Sequence, residues 1–252
     1  EIKGHEKVCN LNLSNNQIEF QKIIRKFVYN YKGKMYRLKT KRVDLLVTPN
    51  HKLLVSNCDF RKPPRFFLKE AKFLFNKSKR FKKDGIWIGK NPKYFVLPAV
   101  KMRWGCKNHP NSWRIKPAKK IPIKPWLKFF GFWMAEGWTS EDRKSHSYRV
   151  YLSNHNKALL LEMKKILESF GYHVYLEKKT NHILRVDDYQ LFHYLKQFGK
   201  SSEKFIPPEI KSLSKELLEI FFEYYIKGDG HIYGRNKKGL SATTTSVKLR
   251  DD

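Results

Sequence analysis

Two segments of the sequence share one pattern, and that repetition constrains the fold more than any other feature. The first is PWLKFFGFWMAEG, residues 125–137, and the second is LLEIFFEYYIKGDG, residues 217–230. Each is dense in apolar residues and ends in an acid followed by glycine. A helix that is apolar almost all round belongs inside a core, so the sequence predicts two buried helices that end in Glu136 and Asp229.

The ends of both helices carry specific expectations. Pro125 can occupy the first turn, where its missing N–H costs nothing. Gly137 and Gly230 fit the left-handed conformation just past a helix end, which puts Glu136 and Asp229 in the last turn. The negative end of the helix dipole disfavours a carboxylate there by about 0.3–1 kcal/mol, so we expect a positive group nearby.

The two acids are the candidate metal ligands. The segment between them is long enough for a compact unit of strands and helices, so the motifs indicate a repeated module. If the helices pack side by side, the carboxylates converge. Hard oxygen ligands suit divalent cations such as Mg²⁺ or Mn²⁺, which can drive phosphodiester hydrolysis by a two-metal route. A single acid-glycine pair is usually only a turn, but two matched copies favour the metal site.

GFWMAEG and YYIKGDG resemble the two motif helices of the LAGLIDADG homing endonucleases. The resemblance implies an α+β fold of αββαββα halves that meet at these helices, with Glu136 and Asp229 as catalytic acids. It also implies double-stranded DNA with a long recognition site as the partner, and a monomer at full length. Gly131 matches the glycine that lets the paired helices approach closely, whereas Tyr224 stands at that position in the second motif.

The segment after Glu136 is predicted to follow the order of one family half. Strands are expected at 148–152, 173–177 and 183–186, and helices at 156–170 and 188–198, closed by Gly171 and Gly199. Residues 125–252 would then hold one complete repeat and the start of a second. Strand faces in that fold lie in the major groove, where side chains contact base edges, although half of each strand must face the core. The candidate DNA contacts are Tyr148, Arg149, Tyr151, Lys178, Lys179, His182 and Arg185.

Lys204 is a further candidate for the catalytic site. SEKFIPPEI is similar to the K-x-I-P block that precedes the second motif in the family, and Lys204 matches its lysine. The resemblance implies that this lysine activates water or neutralises a phosphate. The alternative is an ordinary solvent-exposed lysine.

The first 57 residues are predicted to form an all-β unit, because short alternating strands are separated by turn residues. Strands are expected at 7–13, 20–29, 35–40, 43–48 and 51–56. VTPNHKLLV resembles the T-x-x-H block of the Hint splicing domain of inteins, which implies that Thr48 and His51 are catalytic in an acyl shift. An imidazole suits that task because its pKa lies near neutrality. The alternative is a β-turn centred on Pro49-Asn50, with His51 as an incidental surface residue.

Residues 58–124 carry interleaved basic and aromatic residues. This pattern is typical of a region that contacts phosphates and bases, but a solvated charged face over an aromatic core explains it equally. We assign the segment as a basic region that links the splicing domain to the first motif helix. The chain starts at Glu1, and Cys9 lies within a predicted strand instead of at the nucleophile position. We therefore expect an internal fragment of a larger intein, flanked by the exteins of a host protein.

Composition agrees with a polyanionic partner. Lys and Arg number 53 against 23 Asp and Glu, a formal net charge of +30, and a basic surface of that size attracts nucleic acid. No apolar run reaches the length of a membrane helix, and the odd number of cysteines, 3, argues against a disulfide framework. We expect a cytoplasmic protein with no membrane partner.

These observations predict an intein-encoded, metal-dependent DNA endonuclease joined to a Hint splicing domain. Two alternatives remain open. One is a nucleic-acid-binding LAGLIDADG protein without cleavage, such as a maturase or a regulator. The other is a decayed intein that splices without cutting DNA.

Overall fold

The structure is a computed structural model that describes residues 6–40, 43–59, 61–103, 113–142, 144–177, 180–233 and 239–252. The chain divides into two compact units, Glu1–Trp87 and Ile88–Asp252. The boundary between them lies inside the basic segment 58–124.

In its described residues the first unit consists of short strands and one 3-10 turn, Ala71–Phe73, so the all-β prediction for the first 57 residues is confirmed. The strands are β1 Lys7–Asn12, β2 Gln17–Lys22, β3 Tyr36–Lys39, β4 Asp44–Val47, β5 Lys52–Asn57, β6 Phe67–Glu70, β7 Lys79–Phe81 and β8 Ile86–Trp87. They form three small sheets, in the orders β1-β2-β8, β3-β4 and β6-β5-β7.

The predicted strand over residues 20–29 is wrong in its second half, because β2 ends at Lys22 and no regular secondary structure follows until β3. Ile24 is fully exposed and Val28 is 78% exposed, so the apolar alternation in this segment has no core to cover it. Among the described residues of the first unit, the buried hydrophobic side chains are Val55 and Ala71.

The second unit holds the helices. Two ribbons precede the first helix, which begins a run of the order αββαββα; the short helix α4 and then a second run, αββα, follow. In chain order the elements are β9 Tyr94–Leu97, β10 Val100–Arg103, β11 Trp113–Lys116, β12 Lys119–Pro122, α1 Ile123–Glu136, β13 Gly137–Asp142, β14 Ser147–Ser153, α2 Lys157–Ser169, β15 Val174–Leu176, β16 Ile183–Asp187, α3 Tyr189–Lys196, α4 Pro208–Lys211, α5 Lys215–Asp229, β17 Gly230–Tyr233, β18 Gly239–Ala242 and α6 Val247–Asp251.

The two middle helices begin and end where their local signals predict. Asn156 caps α2 by accepting from the Leu159 N–H at 3.2 Å, and Asp188 caps α3 by accepting from the Leu191 N–H at 2.8 Å. Gly171 and Gly199 adopt φ values of +80° and +68°, the left-handed conformation expected after the helices.

Strands β13, β14, β16 and β15 lie in that order in one antiparallel sheet. Strand β13 was absent from the prediction, because GWTSED is short and polar and carries little alternation. The inner face of the sheet packs into the core of the unit. Its buried side chains are Val150, Leu152, Val174, Leu184 and Val186.

Helices α1 and α5 form the centre of the unit, as the two motifs predict. Helix α1 is buried nearly all round, and its Phe130 ring lies 5.9 Å from the Phe221 ring of α5. A Cβ added to Gly131 would collide with the backbone carbonyl oxygen of Phe221, so the predicted close approach at this glycine is confirmed. The tight position on α5 is Gly228, whose added Cβ would lie 2.5 Å from the Ala135 Cβ.

Tyr224 therefore does not separate the two helices. Its side chain is buried and donates its hydroxyl to Glu162 of α2. The ammonium groups of Lys128 and Lys227 lie 5.1 Å and 4.1 Å from its ring centroid. The tyrosine packs beside the helix crossing, where there is room for a ring.

The expectation that Gly137 and Gly230 are left-handed is wrong. Their φ values are −102° and −89°, with extended ψ, because α1 and α5 pass directly into β13 and β17. Glycine is needed at both positions for space. A side chain at Gly137 would collide with the Trp133 indole, and one at Gly230 would collide with Ile226.

No helix among the described residues is long and apolar enough to span a membrane.

Candidate active site

Glu136 and Asp229 end the paired helices α1 and α5, and the structure brings them together. The close approach lies one residue before each acid, since a Cβ added to Gly228 would be 2.5 Å from the Ala135 Cβ and 2.9 Å from the Glu136 Cγ. Small residues at 135 and 228 thus allow the two helix ends to meet. The predicted convergence of the carboxylates follows from this packing.

The surroundings of both acids oppose ionisation. Loss of hydration on partial burial raises the pKa of Glu136, and the negative charge of Asp229 raises it further. Partial desolvation also raises the pKa of Asp229, while the Lys204 ammonium opposes that change. Two carboxylates that repel one another and lack full hydration gain stability from a cation placed between them.

Asn154 holds Glu136 in place. Its amide nitrogen donates to Glu136 Oε1 at 2.8 Å, and its amide oxygen accepts from the Asn156 N–H at 2.8 Å. The second contact fixes the orientation of the amide, so the nitrogen faces the carboxylate. This hydrogen bond favours the charged form of Glu136 and lowers its pKa against the effect of burial.

Lys204 is the positive group expected at a helix end, and it lies at the end of α1. Only 4% of its surface is exposed, so the alternative of a solvent-exposed lysine is wrong. Its ammonium donates to the carbonyl oxygens of Trp133, Met134 and Gly137, at 3.0, 2.9 and 2.8 Å. An ammonium group has three donors, and these carbonyls use all of them.

The charge state of Lys204 is consistent with that role. Burial lowers its pKa to about 8, and the charges of Asp229 and Glu136 oppose the decrease. At neutral pH the side chain is therefore mostly protonated and able to donate three hydrogen bonds. The same positive charge lies near both carboxylates and partly compensates their repulsion.

The pair of acids fits a hard divalent cation. Carboxylate oxygens are the ligands that Mg²⁺ prefers, commonly one or two from the protein with phosphate oxygens and water completing the shell. Within the described part of the chain, no cluster of three or more His, Cys, Asp or Glu side chains is placed to hold a metal. Glu136 and Asp229 would thus hold the ion together with oxygens of a bound substrate.

The outward face of the four-stranded sheet carries a continuous row of rings and one cation. Trp138 stacks on Tyr151, with ring centroids 4.9 Å apart and an interplanar angle of 8°. Tyr151 pairs across the strands with Arg185, whose guanidinium lies 4.6 Å from the Tyr175 ring centroid. The row crosses all four strands and offers stacking and charged contacts to a ligand on this face.

Arg149 and Arg185 share one acid on the same face. The Nε atoms of Arg149 and Arg185 lie 3.8 and 3.2 Å from Asp187 Oδ1. The carboxylate therefore draws both guanidinium groups to the same part of the face. Arg149, Tyr151 and Arg185 are the predicted DNA contacts that the structure brings together.

The other predicted contacts lie elsewhere. Tyr148 faces the core side of the sheet, where its ring lies 5.2 Å from Phe192, because it alternates with Arg149 along β14. His182 lies in the turn just before β16 and stacks on His155, with ring centroids 4.7 Å apart. Lys178 and Lys179 lie outside the described residues.

Thr48 and His51 lie on one turn between β4 and β5. The His51 N–H donates to the Thr48 carbonyl at 3.1 Å, which confirms the predicted turn centred on Pro49-Asn50. The Thr48 hydroxyl contacts the Asn50 amide oxygen at 2.8 Å. The His51 side chain is exposed. Thr48 is half-buried, so the turn brings the two residues together through the backbone and leaves His51 open to solvent.

Three residues of the site and its outward face are not predicted from the sequence: Asn154, Trp138 and Tyr175. Asn154 lies two residues before Asn156, the cap of α2, and such a position indicates a role in starting the helix and gives no sign of a contact with Glu136. Trp138 and Tyr175 lie on strands, where the register of the strand in the sheet decides which face a side chain lies on. The available signal is the period-two alternation of Arg149 and Tyr151 along β14, and of Arg185 along β16. It indicates an outward face, to which residues of neighbouring strands also belong.

Segments similar to this chain occur in proteins that differ in function. The ATP-dependent Clp protease proteolytic subunit of Chlamydomonas moewusii is 27% identical over 261 residues, which cover 100% of this chain and 25% of that protein. The DNA-directed RNA polymerase subunit beta C-terminal section of Stigeoclonium helveticum is 28% identical over 280 residues, which cover 94% of this chain and 25% of that protein. The chain thus spans about a quarter of the length of these relatives.

A DNA polymerase of Thermococcus sp. (strain GE8) is 29% identical over 141 residues, which cover 54% of this chain and 8% of that protein. Among solved structures, I-DmoI in complex with DNA and Ca has a TM-score of 0.32 and 14% identity, covering 47% of this chain and 62% of that one. A family model, the LAGLIDADG-like domain, matches residues 127–207, which run from within α1 to the segment that follows α3.

Proposed function

We propose that the second unit is a metal-dependent endonuclease that cuts both strands of DNA at a long site. The observation that carries the proposal is the convergence of Glu136 and Asp229 at the paired ends of α1 and α5. Two partly desolvated carboxylates, each with a raised pKa, suit a divalent cation. A bound Mg²⁺ or Mn²⁺ would supply charge neutralisation at a phosphate and a more acidic water.

The chain's own residues would prepare this site. Asn154 orients Glu136 through one hydrogen bond. Lys204 fixes the last turn of α1 and adds positive charge beside both acids. With all three of its donors on carbonyl oxygens, Lys204 would act by positioning the acids, in place of a direct contact to water or phosphate.

Duplex DNA is the partner that the charge and the outward sheet face support. The formal net charge of +30 favours a polyanion. The row from Trp138 to Tyr175 and the paired arginines extend outward from the sheet. Arginines held in a defined position suit bidentate contacts to base edges in the major groove.

The first unit would belong to a protein-splicing domain of an intein. The relatives support this part, because nearly the whole chain matches a segment of a protease subunit and of an RNA polymerase subunit, and 54% of it matches a segment of a DNA polymerase. The matched segment makes up a quarter or less of each protein. These three hosts have different functions. A segment common to them has the distribution of an inserted element, and an intein is an insertion that removes itself from its exteins.

The cleavage proposal is tested with a plasmid library that carries random inserts. The chain is incubated with the library in Mg²⁺, and the ends of linearised plasmids are sequenced to find a preferred site. Glu136→Gln and Asp229→Asn should abolish cutting, while both variants retain DNA binding, since the amide keeps the shape and loses the charge. Glu219→Gln is the matched control, because Glu219 is exposed on the same helix as Asp229.

Each outcome assigns a function. Binding without cutting by the unaltered chain at any tested metal would favour a maturase or a regulator. Cutting by either variant at an unchanged rate would show that these acids are only helix ends. Binding that does not weaken with rising salt would remove duplex DNA as the partner.

The splicing proposal is tested in a precursor that carries complete splicing junctions. His51→Ala should block cleavage at the upstream junction, because the leaving amide nitrogen loses its proton donor. Thr48→Ala should slow it less, since one hydrogen bond is worth only a few kcal/mol. His173→Ala is the control for an exposed histidine in the second unit. Normal processing with His51→Ala would make the turn an ordinary hairpin connection.

A further inference from the structure

The β10–β11 ribbon presents an exposed face that no part of the proposed catalytic site uses. Lys101 pairs with Ile115 across the ribbon, and Trp113 lies two residues from Ile115 along β11, on the same face. Trp113 is 58% exposed and Ile115 is 68% exposed. The Lys101 ammonium lies 5.0 Å from the Trp113 ring centroid. Two large apolar side chains and a cation on one face form a contiguous exposed patch, and such patches can mark an interaction site.

The opposite face of the ribbon anchors it to the second unit. Val100 is 6% exposed, and Gln190 of α3 donates to the backbone carbonyls of Pro98 and Pro117 at 2.8 Å each. Lys116 forms an ion pair with Asp188, the residue that caps α3. The residues that flank the two strands, Pro98 before β10 and Pro117 after β11, are thus both bonded to α3. This attachment fixes the position of the ribbon and of its exposed face.

The ribbon surface continues the outward face of the sheet. A groove of about 700 Å³ lies between Met102 and Trp113 on the ribbon and the turn that joins β13 to β14. Its lining includes His146 of that turn, Arg149 of the outward face and Tyr148 at the edge of the sheet. It also includes two acids, Asp187 and Asp188, which lie beside Arg149 and Lys116 respectively. A ligand that covers Arg149 can therefore also reach Trp113.

Charge identifies the class of ligand. Between Ile88 and Ala135 the sequence contains no Asp or Glu, while lysines and arginines recur throughout. Most of the chain's other segments mix the two signs. A surface with cations and no acids on its own strands fits a polyanion, and the sheet beside it is the proposed contact for duplex DNA.

The ribbon lies at one end of the four-stranded sheet, and the acids Glu136 and Asp229 lie at the other. Strand β14 runs from the ribbon end, at Ser147, to the end near Glu136, at Ser153. At about 3.3 Å per residue, this strand covers roughly 20 Å, or about six base pairs at 3.4 Å each. DNA that runs along the strands would leave the sheet at the ribbon.

We propose that the β10–β11 ribbon is a second DNA-binding element, which holds the flank of the duplex remote from Glu136 and Asp229. This inference rests on the proposed function, because it takes duplex DNA as the ligand. Lys101 would contact a phosphate, and Trp113 and Ile115 would pack against sugars at the groove edge. The ribbon would add affinity and extend the bound length without taking part in cleavage.

The test compares the full chain with the variant Lys101→Ala/Trp113→Ala on a 40-bp duplex, a length chosen to exceed the sheet by a wide margin at about 3.4 Å per base pair. Affinity should fall about tenfold, and the slope of log K against log salt should become shallower by about one. Trp113→Phe should keep most of the affinity, since it preserves an aromatic surface. The matched control is Leu161→Ala/Lys165→Ala, an exposed apolar and cationic pair on α2.

Crosslinking locates the contact directly. With 5-bromouracil placed through the duplex, irradiation should join DNA to a peptide that contains Trp113, as well as to one that contains Tyr151. Crosslinks at Tyr151 without any at the ribbon, or equal affinities for the ribbon and α2 variants, would overturn the inference and leave the proposed function standing. Weak, salt-independent binding by the unaltered chain would reject both.

A membrane surface is the other ligand class that an exposed Trp, Ile and Lys could serve. Binding to vesicles of anionic phospholipid is therefore measured with the same variants. A loss of vesicle binding in Lys101→Ala/Trp113→Ala, with DNA affinity unchanged, would assign the ribbon to a lipid surface and overturn the DNA proposal.

Discussion

The ammonium of Lys204 donates a 2.8 Å hydrogen bond to the carbonyl oxygen of Gly137, the residue that directly follows Glu136. Two further bonds, to Trp133 and Met134, join the segment before α4 to the last turn of α1. A helix leaves its last carbonyl groups without intrahelical partners, and a cation there also meets the negative end of the dipole. Lys204 thus determines where Glu136 lies.

Replacement of Lys204 by methionine should lower the free energy of unfolding by about 2–4 kcal/mol. The apolar side chain keeps the volume but removes the Lys204 donor from the carbonyl oxygens of Met134 and Gly137, while the Trp133 carbonyl still accepts from the Gly137 N–H. Each buried group left unpaired costs about 1–3 kcal/mol. Urea denaturation of the full chain measures the effect. Lys215→Met, at a lysine whose side chain is 72% exposed, should change stability by about 0.5 kcal/mol or less. Equal effects at both positions would contradict the capping role.

Neutral amides at the two acids should stabilise the metal-free fold at neutral pH. The pKa values of Glu136 and Asp229 are raised in the folded state, so the fold holds their protons more tightly than the unfolded chain does. The stability that these two carboxyl groups contribute is therefore fully present below their unfolded pKa values of about 4, and is lost as the pH rises through their folded pKa values. Glu136→Gln and Asp229→Asn should raise the Tm at pH 7 by about 1–3 °C and have no effect near pH 3.

The same melting curves report metal binding. In excess Mg²⁺ the Tm of the unaltered chain should rise, because the ion binds the folded state alone, and the Tm of either variant should not. A chelator sets the metal-free baseline. An equal response to Mg²⁺ in the variants would place the ion elsewhere.

Removal of the Asn154 side chain should weaken metal binding. Asn154→Ala takes away the hydrogen bond that favours charged Glu136, so the pKa of that acid should rise further. Loss of a partner that orients a metal ligand commonly costs about 10–100-fold in metal affinity or activity. The acid limb of the pH profile for cleavage should move to higher pH.

The control for Asn154 is its neighbour Asn156. Asn156→Ala removes the cap of α2 and should cost about 1 kcal/mol of stability. It does not touch Glu136, so the pH profile should keep its position. A shift of the profile in both variants would mean that the loop as a whole, and not the hydrogen bond, sets the property.

Tyr151 and Tyr148 are a matched test of the DNA face. Tyr151→Ala removes the centre of the stacked row on the outward face and should weaken DNA binding about tenfold, with little change in Tm. Tyr148 packs on the opposite side of the sheet, so Tyr148→Phe should leave DNA affinity unaltered. Fluorescence anisotropy with a labelled duplex measures both. A loss of affinity in Tyr148→Phe alone would reverse the assignment of the two faces.

Local signals in the sequence determined where the main helices of the second unit lie and how two of them begin and end. The two buried helices follow from apolar density around acid-glycine ends, and the starts of α2 and α3 follow from the capping side chains of Asn156 and Asp188. Gly171 and Gly199 took the predicted left-handed conformation. Signals of this kind act within a few residues, through backbone geometry and short hydrogen bonds, so they can be predicted without the fold.

Only the tertiary structure decided how these elements serve a site. Lys204 reaches carbonyls about 70 residues away in the sequence, Asn154 turns its amide to Glu136, and Gly228 makes room for the meeting of the helix ends. Tyr148 and Arg149 separate to opposite faces because a strand alternates at every residue, so one step of register exchanges core and surface. Gly137 is extended because α1 continues into a strand that has a place in the sheet. Such contacts join residues that are distant along the chain, and no local pattern encodes which of them will meet.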